Sequence, residues 1–166
     1  MSHDSAIAHP GLTELLAKAK QLNQASDHVN AILKDLEAKL SAANIGLTFW
    51  FESKPLYQSD SRGDLSPSST YEDVAEVLGY ARIDGKWNLA VKKLRTVHGF
   101  YEGQMDCPWA NTFADGDPMS LLKAPRETRL AAVRIIDEFI AAFTAMVNQT
   151  VGELEAASGE IFFGKQ

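Results

Sequence analysis

The sequence predicts an α+β protein in which two long amphipathic helices bracket a small antiparallel sheet of about three strands, in the order α-β-β-β-α. Three observations carry this expectation. Apolar residues fall at heptad spacing over 12–43, a second helical stripe runs over 126–157, and alternating segments flank Asp84-Gly85 between them. A chain of 166 residues with 45% hydrophobic and 23% charged side chains matches one ordinary globular domain, so 1–166 is read as a single domain.

In the first helix, Leu12, Leu15, Ala19, Leu22, Ser26, Val29, Leu33, Leu36, Leu40 and Ala43 follow one another at alternating steps of three and four. That is a heptad stripe, broken in character only at Ser26. Leu16 and Ile32 widen it, as in helices that pack on more than one neighbour. Pro10-Gly11 sets the start, and Asn44 and Gly46 supply the residues favoured just past a helix end. Ser26-Asp27 offers an alternative cap for a second helix, which would make this a kinked hairpin. One continuous helix is the favoured reading.

Residues 45–52 alternate, with Ile45, Leu47, Phe49 and Phe51 on one face and Thr48, Trp50 and Glu52 on the other. Asp84-Gly85 is a strong two-residue turn signal and sets a hairpin of strands 77–83 and 86–94. With that turn, Leu78 faces Val91, Tyr80 faces Leu89 and Arg82 faces Trp87, all on the apolar side. Arg82 and Trp87 are expected to make a cation–π contact. Gly79, Ala81, Asn88, Ala90 and Lys92 occupy the other side, where Trp50 is expected to lie near Gly79 and Ala90. Residues 53–73 are rich in Ser, Pro and Asp and read as a mobile loop. Residues 96–124 mix aromatics with turn formers and show no period. They read as an apolar-rich loop packed on the body, with a short fourth strand through Thr96–Tyr101 as the exception.

The second helix begins after Pro125 and carries Leu130, Val133, Ile136, Ile140, Phe143, Val147 and Leu154. Arg134 and Glu138 are placed to pair at i,i+4. The helix is expected to fray near Ser158-Gly159, with Ile161-Phe162-Phe163 folding back onto the protein. Each helix of about 32 residues spans roughly 48 Å, whereas strands of seven or eight residues reach only about 25 Å. Soluble monomers rarely display large apolar patches, so the uncovered stripe calls either for the two helices to pair antiparallel within the chain or for a homodimer, the favoured reading.

The net charge of −6 and pI near 5.2 disfavour a nucleic-acid partner. No run of about 20 apolar residues suggests a membrane span, and the first residues show neither the basic nor the apolar region of a secretory signal. Cys107 is the only cysteine, so a disulfide within the chain and a multi-thiolate zinc site are excluded, and a reducing cytoplasm is expected.

Candidate chemistry is sparse. Cys107 and His98 form the only Cys/His combination, and with Glu102 they are the polar groups of a catalytic reading. The plainer account is a small half-buried thiol and a surface imidazole. His98, Glu102, Asp106, Asp115 and Asp117 include metal-binding residue types, but no close ligand pair such as HxxxH occurs and no metal is expected. Asp115-Gly116-Asp117 reads more simply as a polar turn before the helix. Arg126, Arg129 and Arg134, after Lys123, make the start of the second helix basic, while Lys86, Lys92, Lys93 and Arg95 add charge near the hairpin. Converging, they would suit an anion or acidic peptide; solvated charge paired with nearby acids is the simpler account. Trp50 either covers the small residues of its neighbours or anchors a partner. Arg62-Gly63-Asp64 and the sequon at Asn148 carry no weight, and no phosphate-binding loop, nucleophile elbow or dinucleotide fingerprint is present.

Leu78-Gly79-Tyr80, Asp84-Gly85-Lys86-Trp87, Leu122 and the stretch Ala124-Pro125-Arg126-Glu127-Thr128-Arg129 resemble a family of small uncharacterised bacterial proteins. The resemblance covers most of the chain in short pieces. It implies the same helix, strand, hairpin and closing-helix order and a bacterial cytoplasmic origin, and it transfers no activity, cofactor or site residue.

The expected role is a non-enzymatic interaction or assembly protein that dimerises through its helices. It would present Trp50, Lys92, Arg126 and Arg129 to a protein partner, without a cofactor. The alternative is a small-molecule binder or enzyme built on 96–117 with His98, Glu102 and Cys107.

Overall fold

A computed structural model describes residues 10–59, 70–101 and 104–163. The order is α1 (Pro10–Ala42), β1 (Phe49–Trp50), β2 (Tyr57–Gln58), β3 (Tyr71–Ile83), β4 (Lys86–Tyr101), β5 (Gln104–Ala114), β6 (Met119–Ser120), a 3₁₀ turn at Leu121–Lys123, α2 (Arg126–Arg134) and α3 (Ile136–Phe163). The α+β class holds, but among the described residues the sheet has six antiparallel strands rather than about three. Three long strands meander as β3-β4-β5. The fragments β1 and β2 extend the β3 edge, and β6 pairs with β4 on the β5 side.

The first helix is continuous through Ser26-Asp27. It ends where Asn44 and Gly46 take positive φ of 48° and 70°. The hairpin register is the expected one, with Leu78 opposite Val91, Tyr80 opposite Leu89 and Arg82 opposite Trp87. Asp84 and Gly85 have φ of 50° and 80°, the left-handed pair that a two-residue hairpin turn requires. The side chains at the hairpin end depart from expectation. Arg82 Nε donates to the Gly85 carbonyl at 3.0 Å. Trp87 stacks on Tyr80 with ring centroids 5.3 Å apart. The cation–π contact is made instead by Lys92, 4.8 Å above the Trp50 ring.

The strand expected over 45–52 pairs only at Phe49–Trp50, with one further bond from Phe51 N to Leu78 O. Its alternation survives the short ladder, because Ile45, Leu47, Phe49 and Phe51 all face the core. Of the loop expected over 53–73, Tyr57–Gln58 pairs with β3, β3 already begins at Tyr71, and residues 60–69 lie outside the described residues.

The largest correction falls on 96–124. Instead of a packed loop, β4 continues to Tyr101 and β5 returns beside it, pairing Leu94 with Ala114 through Phe100 with Pro108. The alternation is weak there because Ala110–Ala114 are exposed on both faces, so no burial selects a period of two.

The closing helix also differs. It bends at Ile135, whose φ,ψ of −112°,8° and N–H bond to Ala132 O form a tight turn between α2 and α3. The bend lets α2 pack beside α1 while α3 delivers Phe139 and Phe143 to Phe49 and Phe51. Glu138 consequently accepts from Lys54 at 2.6 Å rather than from Arg134. The backbone stays helical through Phe163 instead of fraying at Ser158-Gly159; the side chains from Gly159 onward, including the apolar tail, lie outside the described residues.

One core lies between the turn half of the β3–β4 hairpin and the helices. It is built from Leu33, Phe51, Leu78, Tyr80, Leu89, Val91, Leu121, Phe139 and Phe143. Phe49 and Phe143 stack in parallel at 5.2 Å. The other side of the hairpin is covered by the sheet's own side chains. Trp50 lies so close over Gly79 that a Cβ there would sit 2.1 Å from its ring, and Lys92, bonded to Glu52 at 2.7 Å, closes over the indole.

Candidate functional site

The strands are longer than expected, 13 residues in β3 and 16 in β4, so strand length does not limit coverage of the helices. Placement does. The helices pack only on the turn half of the hairpin, and the far half of β4 runs on with β5. The α1 stripe therefore divides. Val29, Leu33, Leu36 and Leu40 pack into the core, with Leu33 fully buried. About two to five turns before Val29 on the same stripe, Leu12, Leu15 and Leu22 are 51%, 64% and 53% exposed, and Leu16 beside them is equally open. At the other end of the chain, Val151 and Leu154 of α3 are exposed as well.

Where α1 crosses α2, a small apolar notch of about 80 Å³ opens between Leu22, Ala25, Val29 and Leu130, with Arg126 and Arg129 at its rim. Both arginines hold α2 in place. Arg126 Nη2 donates to Asn23 Oδ1 and Arg129 Nη1 to the Leu122 carbonyl, each at 3.1 Å. The notch joins the exposed leucines of α1 to Leu130 of α2, itself exposed.

The basic residues near the hairpin lie beside acids, in keeping with the simpler account of paired charge. Lys92 pairs with Glu52, Lys93 lies 3.7 Å from Glu76, and Arg95 lies 3.7 Å from Glu72. Lys92 projects on the opposite sheet face from Lys93 and Arg95, as alternation along one strand dictates. Trp50 is half-buried over Gly79 beneath Lys92.

His98 stacks on Tyr71 with centroids 4.4 Å apart and planes 3° from parallel, and its Nε2 lies 3.0 Å from Asp73 Oδ2. Its cross-strand neighbour on β5 is Ala110, three positions from Cys107 and about 10 Å along the strand by its rise. Glu102 and the Cys107 side chain lie outside the described residues, as does the Asp106 side chain. Among the described residues, no group of three His, Cys, Asp or Glu side chains is arranged to hold a metal ion.

Sequence reading missed one polar pocket. Glu76 accepts from Thr128 Oγ1 at 3.1 Å, and beside them a cavity of about 300 Å³ is lined by Lys93, Asp115, Asp117 and Met119. These residues come from β3, β4, the segment after β5 and α2, so no local motif could have announced them. A second half-buried acid, Glu37 of α1, accepts from Leu89 N–H at 2.9 Å. Burial pushes its carboxyl above the ordinary range, and the bond to Leu89 opposes that rise. Tyr80 is raised as well, first by burial and then by the nearby Glu37 charge.

No protein-family model, curated protein or solved structure matches this chain. No helix among the described residues is long and apolar enough to cross a membrane.

Proposed function

We propose that this chain is a non-enzymatic cytoplasmic assembly protein that forms a homodimer through the amino-terminal half of α1 and the carboxy-terminal half of α3. The observation that carries the reading is the divided stripe. Leu33 is fully buried, whereas Leu12, Leu15 and Leu22, in register with it, face solvent. Leucines at heptad spacing on a projecting helix suit a helix-to-helix seam, and a two-fold pair would bury each stripe against its copy. The single thiol, Cys107, supports a reducing compartment. A protein partner would meet the dimer at Trp50 and Lys92 on the outer sheet face or at Arg126 and Arg129 beside the apolar notch.

Native mass spectrometry and light scattering on the full chain test the dimer. The wild type should carry the mass of two chains. A variant with Leu15→Glu and Leu22→Glu should carry the mass of one, with an unchanged far-ultraviolet circular dichroism spectrum. A wild type that stays monomeric as concentration rises removes the reading.

A second reading, binding of a small molecule, is favoured by the cavity beside Glu76, which takes Asp115 and Asp117 from the end of the 96–117 segment. Three carboxylates against one lysine suit a ligand carrying an amino group on an apolar body. Small organic amines should then raise the melting temperature, and Glu76→Gln should cancel the effect. No shift across such amines ends this reading.

A further inference from the structure

β5 pairs with β4 along one edge and turns its other edge away from the sheet. Asp115 N donates to Lys93 O at 2.9 Å, and Leu94 faces Ala114 in the same register. In an antiparallel ladder the bonded pairs alternate, so Phe113, Asn111 and Trp109 turn their N–H and C=O groups toward β4. Ala110, Thr112 and Ala114 turn theirs the other way. Pro108 also falls in the outward set, where its missing N–H removes no bond to β4. Among the described residues nothing pairs with β5 on that side.

Natural sheets protect such edges with charge, bulges, proline or a covering segment. Residues 108–114 read Pro-Trp-Ala-Asn-Thr-Phe-Ala and carry no charged side chain in a chain of net charge −6. Pro108 protects only one end. Ala110 to Ala114 are exposed, and Phe113 is 52% exposed. An uncharged open edge of this kind is a template for pairing with another chain.

We infer that β5 pairs edge to edge with β5 of a second copy of this chain, antiparallel about a two-fold axis at Thr112, joining two sheets into one. The second copy is the occupant because the edge is self-complementary. A two-fold at Thr112 sets Ala110 against the partner's Ala114 and Thr112 against the partner's Thr112, so all three outward residues exchange both backbone bonds. Asn111 meets the partner's Phe113 in a close, non-bonded pair that covers the exposed ring. Asp115 meets the partner's Trp109, so no acid faces an acid. A two-fold at Asn111 brings Pro108 opposite Ala114 and loses a donor, and one at Phe113 sets Ala110 against Gly116, beyond the end of β5. This interface uses no residue of the helix stripe and does not depend on it.

Hydrogen exchange of the Ala110, Thr112 and Ala114 amides in the full chain, followed by NMR alongside solution mass, tests the pairing. Exchange at these three amides should slow by about tenfold or more as concentration rises and mass increases, because only association gives them acceptors. Ala110→Pro and Thr112→Lys should each abolish the slowing while leaving the unfolding midpoint of the chain in place, since neither removes a bond to β4. The Leu15→Glu, Leu22→Glu variant should keep the slowing, which separates this interface from the helical one. Fast exchange at all three amides at every concentration, whatever the mass, overturns the inference. So does protection in a chain of monomer mass, which would mean a cover from within the chain.

Discussion

Glu37 Oε2 of α1 accepts the backbone N–H of Leu89 at 2.9 Å, tying the helix to the open edge of β4 across 52 residues of sequence. Strand polarity explains the contact. Val91 pairs with Met119 of β6, so odd-numbered residues of β4 face that side. β6 ends at Ser120, and the next donor along the edge, Leu89, would be left buried without an acceptor. The carboxylate replaces the missing strand.

Glu37→Ala should destabilise the fold by about 1–3 kcal/mol, the cost of stranding a buried donor. Glu37→Gln keeps an acceptor and should cost far less. The two variants also separate by pH. Because burial raises the Glu37 pKa in the folded state, the folded chain binds the proton more tightly than the unfolded one. Its contribution is fully present below the unfolded pKa, near 4.5, and is lost as pH rises through the folded value. Wild type should therefore lose stability relative to Glu37→Gln between acid and neutral pH. Urea midpoints across that range would show it, and a constant difference would mean that Glu37 is not raised.

Gly79→Ala should destabilise by about 1–3 kcal/mol through overpacking. Its new methyl would sit 2.1 Å from the Trp50 ring and 2.6 Å from the Phe49 carbonyl oxygen. Adding Trp50→Ala should recover only part of the loss, because the backbone oxygen remains. Strict additivity of the two changes in equilibrium unfolding would place the indole elsewhere.

Leu33→Ala and Leu15→Ala make the same chemical change on one stripe. The first empties a fully buried site and should cost about 2–5 kcal/mol. The second, in dilute monomeric protein, should stay within about 0.5 kcal/mol, as exposed positions do. Equal costs under those conditions would mean that the amino-terminal half of α1 is packed in the monomer.

Phe143→Ala should cost about 3–5 kcal/mol. The ring stacks on Phe49 at 5.2 Å and meets Tyr80 and Phe139 at 5.6 and 6.0 Å. The near-ultraviolet circular dichroism of Tyr80 and its stacked partner Trp87 should weaken with it. A loss below about 1 kcal/mol would mean that the cavity collapses freely.

Local signals were legible where one physical preference acted alone. Asp84-Gly85 announced its turn because few residues tolerate positive φ at successive positions, and the register out to Leu78 and Val91 followed by counting. The α1 stripe was legible because a helix must bury one side. The bend at Ile135 was not, since no proline or glycine marks it and packing on two different neighbours produces it. The Glu76 cavity was equally silent, being assembled from four separated segments.

By itself, then, the sequence determined the α+β class, the long first helix, the hairpin and its register, and the apolar faces. Each rests on periodicity or on dihedral limits that act over a few residues. Only the tertiary structure decided how far those faces are used. It carried β4 and β5 beyond the helices, set Glu37 on the edge of β4, laid Trp50 over Gly79, and left the first half of the α1 stripe uncovered. The reason is that burial is a property of neighbours: Leu15 and Leu33 read alike in the stripe and differ only in what lies opposite them.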